Sequence, residues 1–186
     1  MKLLIMGPPG VGKGTQAKIL SKVLDVTHIS TGEILRNEIR MNTKIGKISK
    51  SFIDHGNFVP DKLILDIISK KISIKMPDEG YLFDGFPRTI PQATGFNKLL
   101  IEMGHKLNAA INLTADEDEL IKRILDRGKS SGRSDEAVDI VKKRQKIYWA
   151  QTAPLINYYQ KKNILKNING IGGIKEITER ILQVIY

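Results

Sequence analysis

The chain has 186 residues, with 30 Lys and Arg against 20 Asp and Glu and a formal net charge of +10. Its 41% hydrophobic and 27% charged residues match a globular domain with its own core and room for a small insert. The absence of Cys excludes disulfides and thiolate-held zinc or iron–sulfur sites, and no apolar run approaches the roughly 20 residues that cross a bilayer. Leu3–Met6 reads as a buried strand, cut short by Gly7-Pro8-Pro9-Gly10; the run is too brief for a signal-peptide core, so the expected compartment is the cytoplasm. Lys13 to Leu24 carries an apolar stripe at Ala17, Leu20 and Leu24 and is predicted helical. Thr27 to Ile29 is a second strand and Thr31 to Arg40 a second helix. Pro60-Asp61 opens a helix on Leu63, Ile64, Ile67, Ile68 and Ile72. Tyr81 to Phe83 is a strand, Pro91 to Met103 a helix, Ala109 to Leu113 a strand and Asp116 to Arg127 a helix. Gly128 to Gly132 reads as a loop, and Ser134 to Lys162 as mostly helical with a break near Pro154. Ile164 to Ile168 is a last strand and Ile174 to Ile185 a last helix. Alternating strands and helices imply an α/β domain whose parallel sheet is covered on both faces.

Gly7-Pro8-Pro9-Gly10-Val11-Gly12-Lys13-Gly14-Thr15 follows the first strand and opens the first helix. It fits G-x-x-x-x-G-K, with Gly14 where Ser or Thr usually stands and Thr15 one step later. Glycines let several backbone N–H groups gather around one anion, the helix N-terminus adds partial positive charge, and Lys13 supplies an ammonium for phosphate oxygens. This loop alone implies only a nucleoside triphosphate binder.

Two further strand ends carry polar motifs: Thr31-Gly32-Glu33-Ile34-Leu35-Arg36, and Asp84-Gly85-Phe86-Pro87-Arg88-Thr89 with Gln92 just beyond. Ligands in open α/β sheets lie outside the carboxyl ends of the strands, so all three motifs converge there. Arg36 and Arg88 can grip a second phosphate bidentately, which Arg does better than Lys.

Together with Thr152-Ala153-Pro154-Leu155, these motifs closely resemble adenylate kinase, in the P-loop nucleoside monophosphate kinase family, over nearly the whole chain. The resemblance implies a P-loop NTPase fold with a five-stranded parallel sheet and helices on both faces. It also implies a small helical monophosphate-binding insert over 30–59 and a lid over 127–134. Gly10, Val11, Gly12, Lys13, Gly14 and Thr15 would hold ATP. Thr31, Arg36, Asn57, Phe58, Val59, Gly85, Phe86, Pro87, Arg88 and Gln92 match the AMP-binding positions. Asp84 matches a carboxylate that orders magnesium-bound water, and with Thr15 would hold Mg2+ through water, with no direct metal ligand. Arg123 and Arg127 lie on the helix entering the lid, facing ATP. Arg133 and Arg144 leave it and clamp the transferring phosphoryl. Gly172 falls where a backbone carbonyl meets the ATP base. The implied catalytic set is Lys13, Asp84, Arg88, Arg123, Arg127, Arg133 and Arg144. The implied partners are ATP, AMP and ADP with Mg2+, without zinc, nucleic acid or membrane, acting on a monomer.

Only Gly128 to Gly132 separates Arg127 from Arg133, which is the short-lid form, and the acidic pair after the lid arginine is Asp135-Glu136 where many relatives carry Asp-Asp. Two alternatives stand beside this reading. Uridylate/cytidylate kinases tend to carry Asn after the Gly-Phe-Pro-Arg motif; Thr89 stands here, and the Gln92 amide suits an adenine edge. The +10 charge also admits a basic P-loop ATPase module that binds nucleic acid. His28, His55 and His105 have no carboxylate or Cys at ligand spacing and are expected to be structural or on the surface; Tyr148 and Trp149 are expected to pack.

Overall fold

A computed structural model describes residues 1–74, 80–131 and 137–186, with the side chains of residues 73, 74 and 127–131 outside that description. Five parallel strands form one sheet: β1 (Lys2–Met6), β2 (Thr27–Ser30), β3 (Tyr81–Asp84), β4 (Ala109–Thr114) and β5 (Leu165–Asn169), in the order β2-β3-β1-β4-β5. The first strand made is the central one. After β1 the chain runs to the edge of the sheet at β2, returns to β3 beside β1 and then crosses to β4 and β5, so the topological switch point lies between the carboxyl ends of β1 and β3.

Period-two alternation sorts the side chains onto two faces. Leu3 and Ile5 point to one core, with Ala17 and Leu20 of α1 (Lys13–Val23), Leu120 of α6 (Glu117–Ser131), and Ile177 and Ile181 of α9 (Ile174–Ile185). Leu4 and Met6 point to the other. It holds Ile64, Ile67, Ile68 and Ile72 of α4 (Asp61–Ile74), Ala93, Phe96 and Leu100 of α5 (Ile90–Glu102), and Leu155 and Tyr159 of α8 (Pro154–Lys161). Tyr81, Phe83, Phe86 and Phe96 form an aromatic block within it, edge-to-face in three contacts and tilted between Phe83 and Phe86.

Between β2 and α4 lie α2 (Thr31–Arg40) and α3 (Lys44–Ile53), packed on each other. Helix α3 has no counterpart among the elements expected from the sequence. Its first residues pass so near α2 that a Cβ at Gly46 would stand 2.0 Å from the Glu38 carbonyl oxygen, and only glycine fits that approach.

Two further differences concern the end that faces the site. The loop expected over Gly128 to Gly132 is helical through Ser131, and Gly132 lies outside the described residues; one glycine inside a helix costs only about 1 kcal/mol relative to alanine. The expected break near Pro154 is a single π-helical segment, Tyr148–Thr152, joining α7 (Val138–Ile147) to α8. Tyr148 is buried there as expected, but Trp149 is 53% exposed, its ring edge-on to Tyr148.

Candidate active site

The site is assembled where β1 and β3 end. The turn after β1 closes with Gly12 as N-cap of α1, at φ 97, in the left-handed region that costs glycine nothing. The first N–H groups of α1 therefore border the loop at the positive end of the helix dipole. Lys13 Nζ donates to the carbonyls of Gly7 at 2.7 Å and Pro8 at 2.9 Å, which holds the ammonium across the loop. Phosphate oxygens are stronger, charged acceptors for the same donor. From the opposite side, Gln145 of α7 donates through Nε2 to the Pro9 carbonyl at 3.0 Å.

Asp84 ends β3 in register with Ile5 of β1 and Ser30 of β2. Ser30 Oγ donates to its Oδ2 at 3.3 Å, and the same hydroxyl accepts from the Glu33 N–H, capping α2. His28 Nε2 stands 3.7 Å from Oδ2, longer than a hydrogen bond, so a protonated imidazole acts on Asp84 through its charge. Histidine 28 thus has the carboxylate partner that sequence spacing did not reveal. Burial pushes the Asp84 carboxyl up, but His28, the Lys13 ammonium and the Arg88 guanidinium push it down further, and it sits below the ordinary carboxylate range. A charged carboxylate is therefore held beside the phosphate loop.

The second half of the site hangs on the turn after β3. Thr31 Oγ1 donates to the Gly85 carbonyl at 2.9 Å, and Arg88 Nε donates to the same oxygen at 2.8 Å. The Arg88 guanidinium carbon lies 5.2 Å from the centre of the Phe58 ring, a cation–π contact that aims the fork. Thr152, in the π segment, donates to the Arg88 carbonyl at 2.8 Å. Gly56, at the end of the insert, meets α7: a Cβ there would lie 2.9 Å from Ile140 Cγ2 and 3.3 Å from Arg144 Cγ.

One cavity of about 370 Å3 unites these parts. Its lining includes Gly10, Gly12, Lys13, Gly14 and Thr15, then Thr31, Arg36, Asn57, Phe58 and Val59, and then Asp84, Gly85, Pro87, Arg88, Gln92 and Arg144. The chain segments between Gly7 and Arg144 thus meet around one space with basic side chains at two separate places, Lys13 on one side and Arg36 and Arg88 on the other. Val11 and Phe86 are not in the lining: each is 1% exposed and belongs to a core cluster, so their side chains shape the loops from behind. Arg123 and Gly172 lie off the cavity. Arg123 donates through Nη1 to the Gly170 carbonyl at 3.0 Å and through Nε to Glu119 at 2.7 Å, which sets it against the β5–α9 turn that carries Gly172. The side chain of Arg127, and Arg133 entirely, lie outside the described residues.

Sequence reasoning gave no site role to Ser30, Gln145 or Thr152: the Thr152–Leu155 motif marked Thr152, but the bonds that tie these residues to Asp84, Pro9 and Arg88 join positions 54, 136 and 64 residues apart.

A family profile for adenylate kinase matches residues 5–164. The chain is 45% identical to the adenylate kinase of Parabacteroides distasonis, over 100% of this chain and 97% of that protein. It is 45% identical to that of Porphyromonas gingivalis, over 100% and 95%, and 40% identical to that of Bacteroides thetaiotaomicron, over 100% and 98%.

Proposed function

The chain belongs to the adenylate kinase family, and from that premise we propose that its site carries out reversible phosphoryl transfer, ATP + AMP ⇌ 2 ADP. One observation carries this reading beyond the family relation. A phosphate loop with its lysine and a second pair of phosphate-gripping arginines, Arg36 and Arg88, line the same cavity. A triphosphate hydrolase needs only the first.

In this reading the triphosphate lies on the Gly10–Thr15 loop, and its γ-phosphoryl points toward Arg88 and Arg144. The AMP phosphate is gripped by Arg36 and Arg88, and its base lies among Thr31, Asn57, Val59, Gly85 and Gln92. A phosphate oxygen of AMP forms the new bond to the γ-phosphorus while the bond from that phosphorus to the β–γ bridging oxygen breaks. The attacking oxygen is already anionic at neutral pH, so no general base is required. Catalysis consists of in-line positioning and neutralisation of charge on the equatorial oxygens. Lys13, Arg88 and Arg144 supply positive charge there, joined by Arg127 and Arg133 from the 127–134 lid. Closing the lid excludes water and prevents hydrolysis. Arg123, set against the turn that carries Gly172, flanks the adenine of ATP.

The charged Asp84 carboxylate and the Thr15 hydroxyl, both in the cavity lining, fit a magnesium ion that arrives with ATP and keeps most of its water. Held there by Asp84 and Thr15 through water, such an ion would supply positive charge to the phosphate groups of ATP. Among the described residues no helix is long and apolar enough to cross a membrane; a cytoplasmic monomer is part of the proposal.

A coupled assay that offers ATP with AMP, UMP, CMP or GMP tests the reading. AMP is expected to give the highest kcat/KM by at least an order of magnitude. Preference for a pyrimidine monophosphate overturns the acceptor assignment.

A further inference from the structure

The Gln92 amide is held at both ends. Its Nε2 donates to Asp61 Oδ1 at 2.7 Å, and its Oε1 accepts from the Arg88 backbone N–H at 2.8 Å. The other oxygen of Asp61 accepts from the Thr89 hydroxyl at 3.0 Å, and Thr89 Oγ1 accepts from the Gln92 backbone N–H at 3.2 Å, capping α5. Amide oxygen and nitrogen are often interchangeable by shape alone, but here chemistry assigns them. A backbone N–H only donates and each carboxylate oxygen here accepts, so the amide fits the ring in one sense only. Gln92 is 2% exposed yet borders the cavity, so water does not readily replace either partner.

The ring leaves one Nε2 proton and one Oε1 lone pair uncommitted. A 6-aminopurine offers a donor at position 6 and an acceptor at N1. A 6-oxopurine offers the reverse, an acceptor at position 6 and a donor at N1. One amide can pair with either base, but only by turning end for end between them. Turned, Gln92 would set its oxygen against Asp61 Oδ1 and its NH2 against the Arg88 N–H, replacing two hydrogen bonds between partly buried groups with two repulsive contacts.

We propose that Asp61, on the first turn of α4, is a specificity-determining positioning residue: by fixing the sense of the Gln92 amide it makes the acceptor site take a 6-aminopurine monophosphate and reject a 6-oxopurine one. This rests on the reading that Gln92 meets the acceptor base. The test measures kcat and KM for AMP and for inosine monophosphate at saturating ATP. The proteins compared are the unmodified enzyme, Asp61→Ala, the bulkier Asp61→Leu, Asp61→Asn and Gln92→Ala. Loss of the acceptor in the Ala and Leu variants should lower the AMP-to-IMP ratio of kcat/KM by about tenfold or more, mainly through the acceptor KM, with the KM for ATP unmoved. Asp61→Asn keeps an oxygen for Gln92 and an NH2 for the Thr89 hydroxyl, and should restore the ratio. An unchanged ratio in the Ala or Leu variant, or an equal fall for both acceptors, overturns the role of Asp61 if Gln92→Ala still collapses the ratio. If Gln92→Ala also leaves it unchanged, the base-reading role of Gln92 fails, and the proposal falls with it.

Discussion

Arg88 does several jobs at one position. Its backbone N–H holds Gln92, its carbonyl accepts from Thr152, its Nε bonds to Gly85 and its guanidinium faces the Phe58 ring. The backbone contacts survive substitution, so Arg88→Ala tests the guanidinium alone. We expect kcat to fall on the order of 10³-fold, within the range known for phosphoryl-clamping arginines, with an unchanged circular dichroism spectrum. Near-normal turnover would remove Arg88 from the clamp. Asp84 gives a pH signature. Its folded carboxyl sits below the ordinary range, so between that position and about pH 4 the unfolded chain binds the extra proton. The stability it confers is present at neutral pH and is lost as pH falls through that window. Thermal melts of the unmodified protein should therefore drop more steeply on acidification below about pH 4 than those of Asp84→Asn. Parallel curves would show that Asp84 is not perturbed.

At the scale of elements, what could be read from the sequence depended on whether the cause was local. Strands β1 and β3 were legible because their apolar runs end in Gly or Asp, β4 because its short apolar run stands between two helical patterns, and α4 because its Ile and Leu residues recur at helical spacing. Helix α3 was not: its sequence, Lys44 to Ile53, is rich in Lys and Ser, and its packing rests on a glycine whose partner is the Glu38 carbonyl. The cavity lining was legible wherever a motif stood at a strand end. Gln145 and Thr152 were illegible as to role because they donate to carbonyls 136 and 64 residues away, and no local spacing encodes such a bond. Gly46→Ala tests the insert as an element. A methyl at that position must push α3 off α2, so Tm should fall by several degrees, equivalent to about 1–3 kcal/mol, and the KM for AMP should rise more than that for ATP. An equal rise in both KM values would show that the insert does not serve the acceptor alone.

Across the whole molecule, the +10 charge divides unevenly. Of the 30 basic residues, 22 are Lys and eight are Arg, and six of those arginines (36, 88, 123, 127, 133 and 144) fall on motif positions. The cationic chemistry is therefore concentrated in a few arginines. The phosphate-loop helix also depends on the far end of the chain. Thr178 Oγ1 donates to Gln16 Oε1 at 2.8 Å, Gln16 Nε2 donates to the Ile174 carbonyl at 2.9 Å, and Ile177 and Ile181 pack into the core shared with Ala17 and Leu20. Losing two such buried Ile side chains costs about 2–5 kcal/mol each, comparable with the whole stability of a domain, about 5–15 kcal/mol. A chain ended after Gly173 should show no cooperative melt and no ATP binding by calorimetry. A folded, ATP-binding truncation would mean that α1 is held by the sheet alone.

The position of β1 has a consequence for biosynthesis. This strand leaves the ribosome before the other four, yet its two edges are covered by strands that begin at Tyr81 and Ala109. At about 5–20 residues per second, the first strand waits several seconds or longer for its second neighbour. During that interval a short apolar strand with two open edges is exposed to the aggregation and mispairing that chaperones suppress. A Cβ at Gly7 would stand 2.4 Å from the Leu113 carbonyl oxygen, so the loop after β1 packs directly on β4, and the nascent chain is expected to bind nucleotide only once β4 has been made.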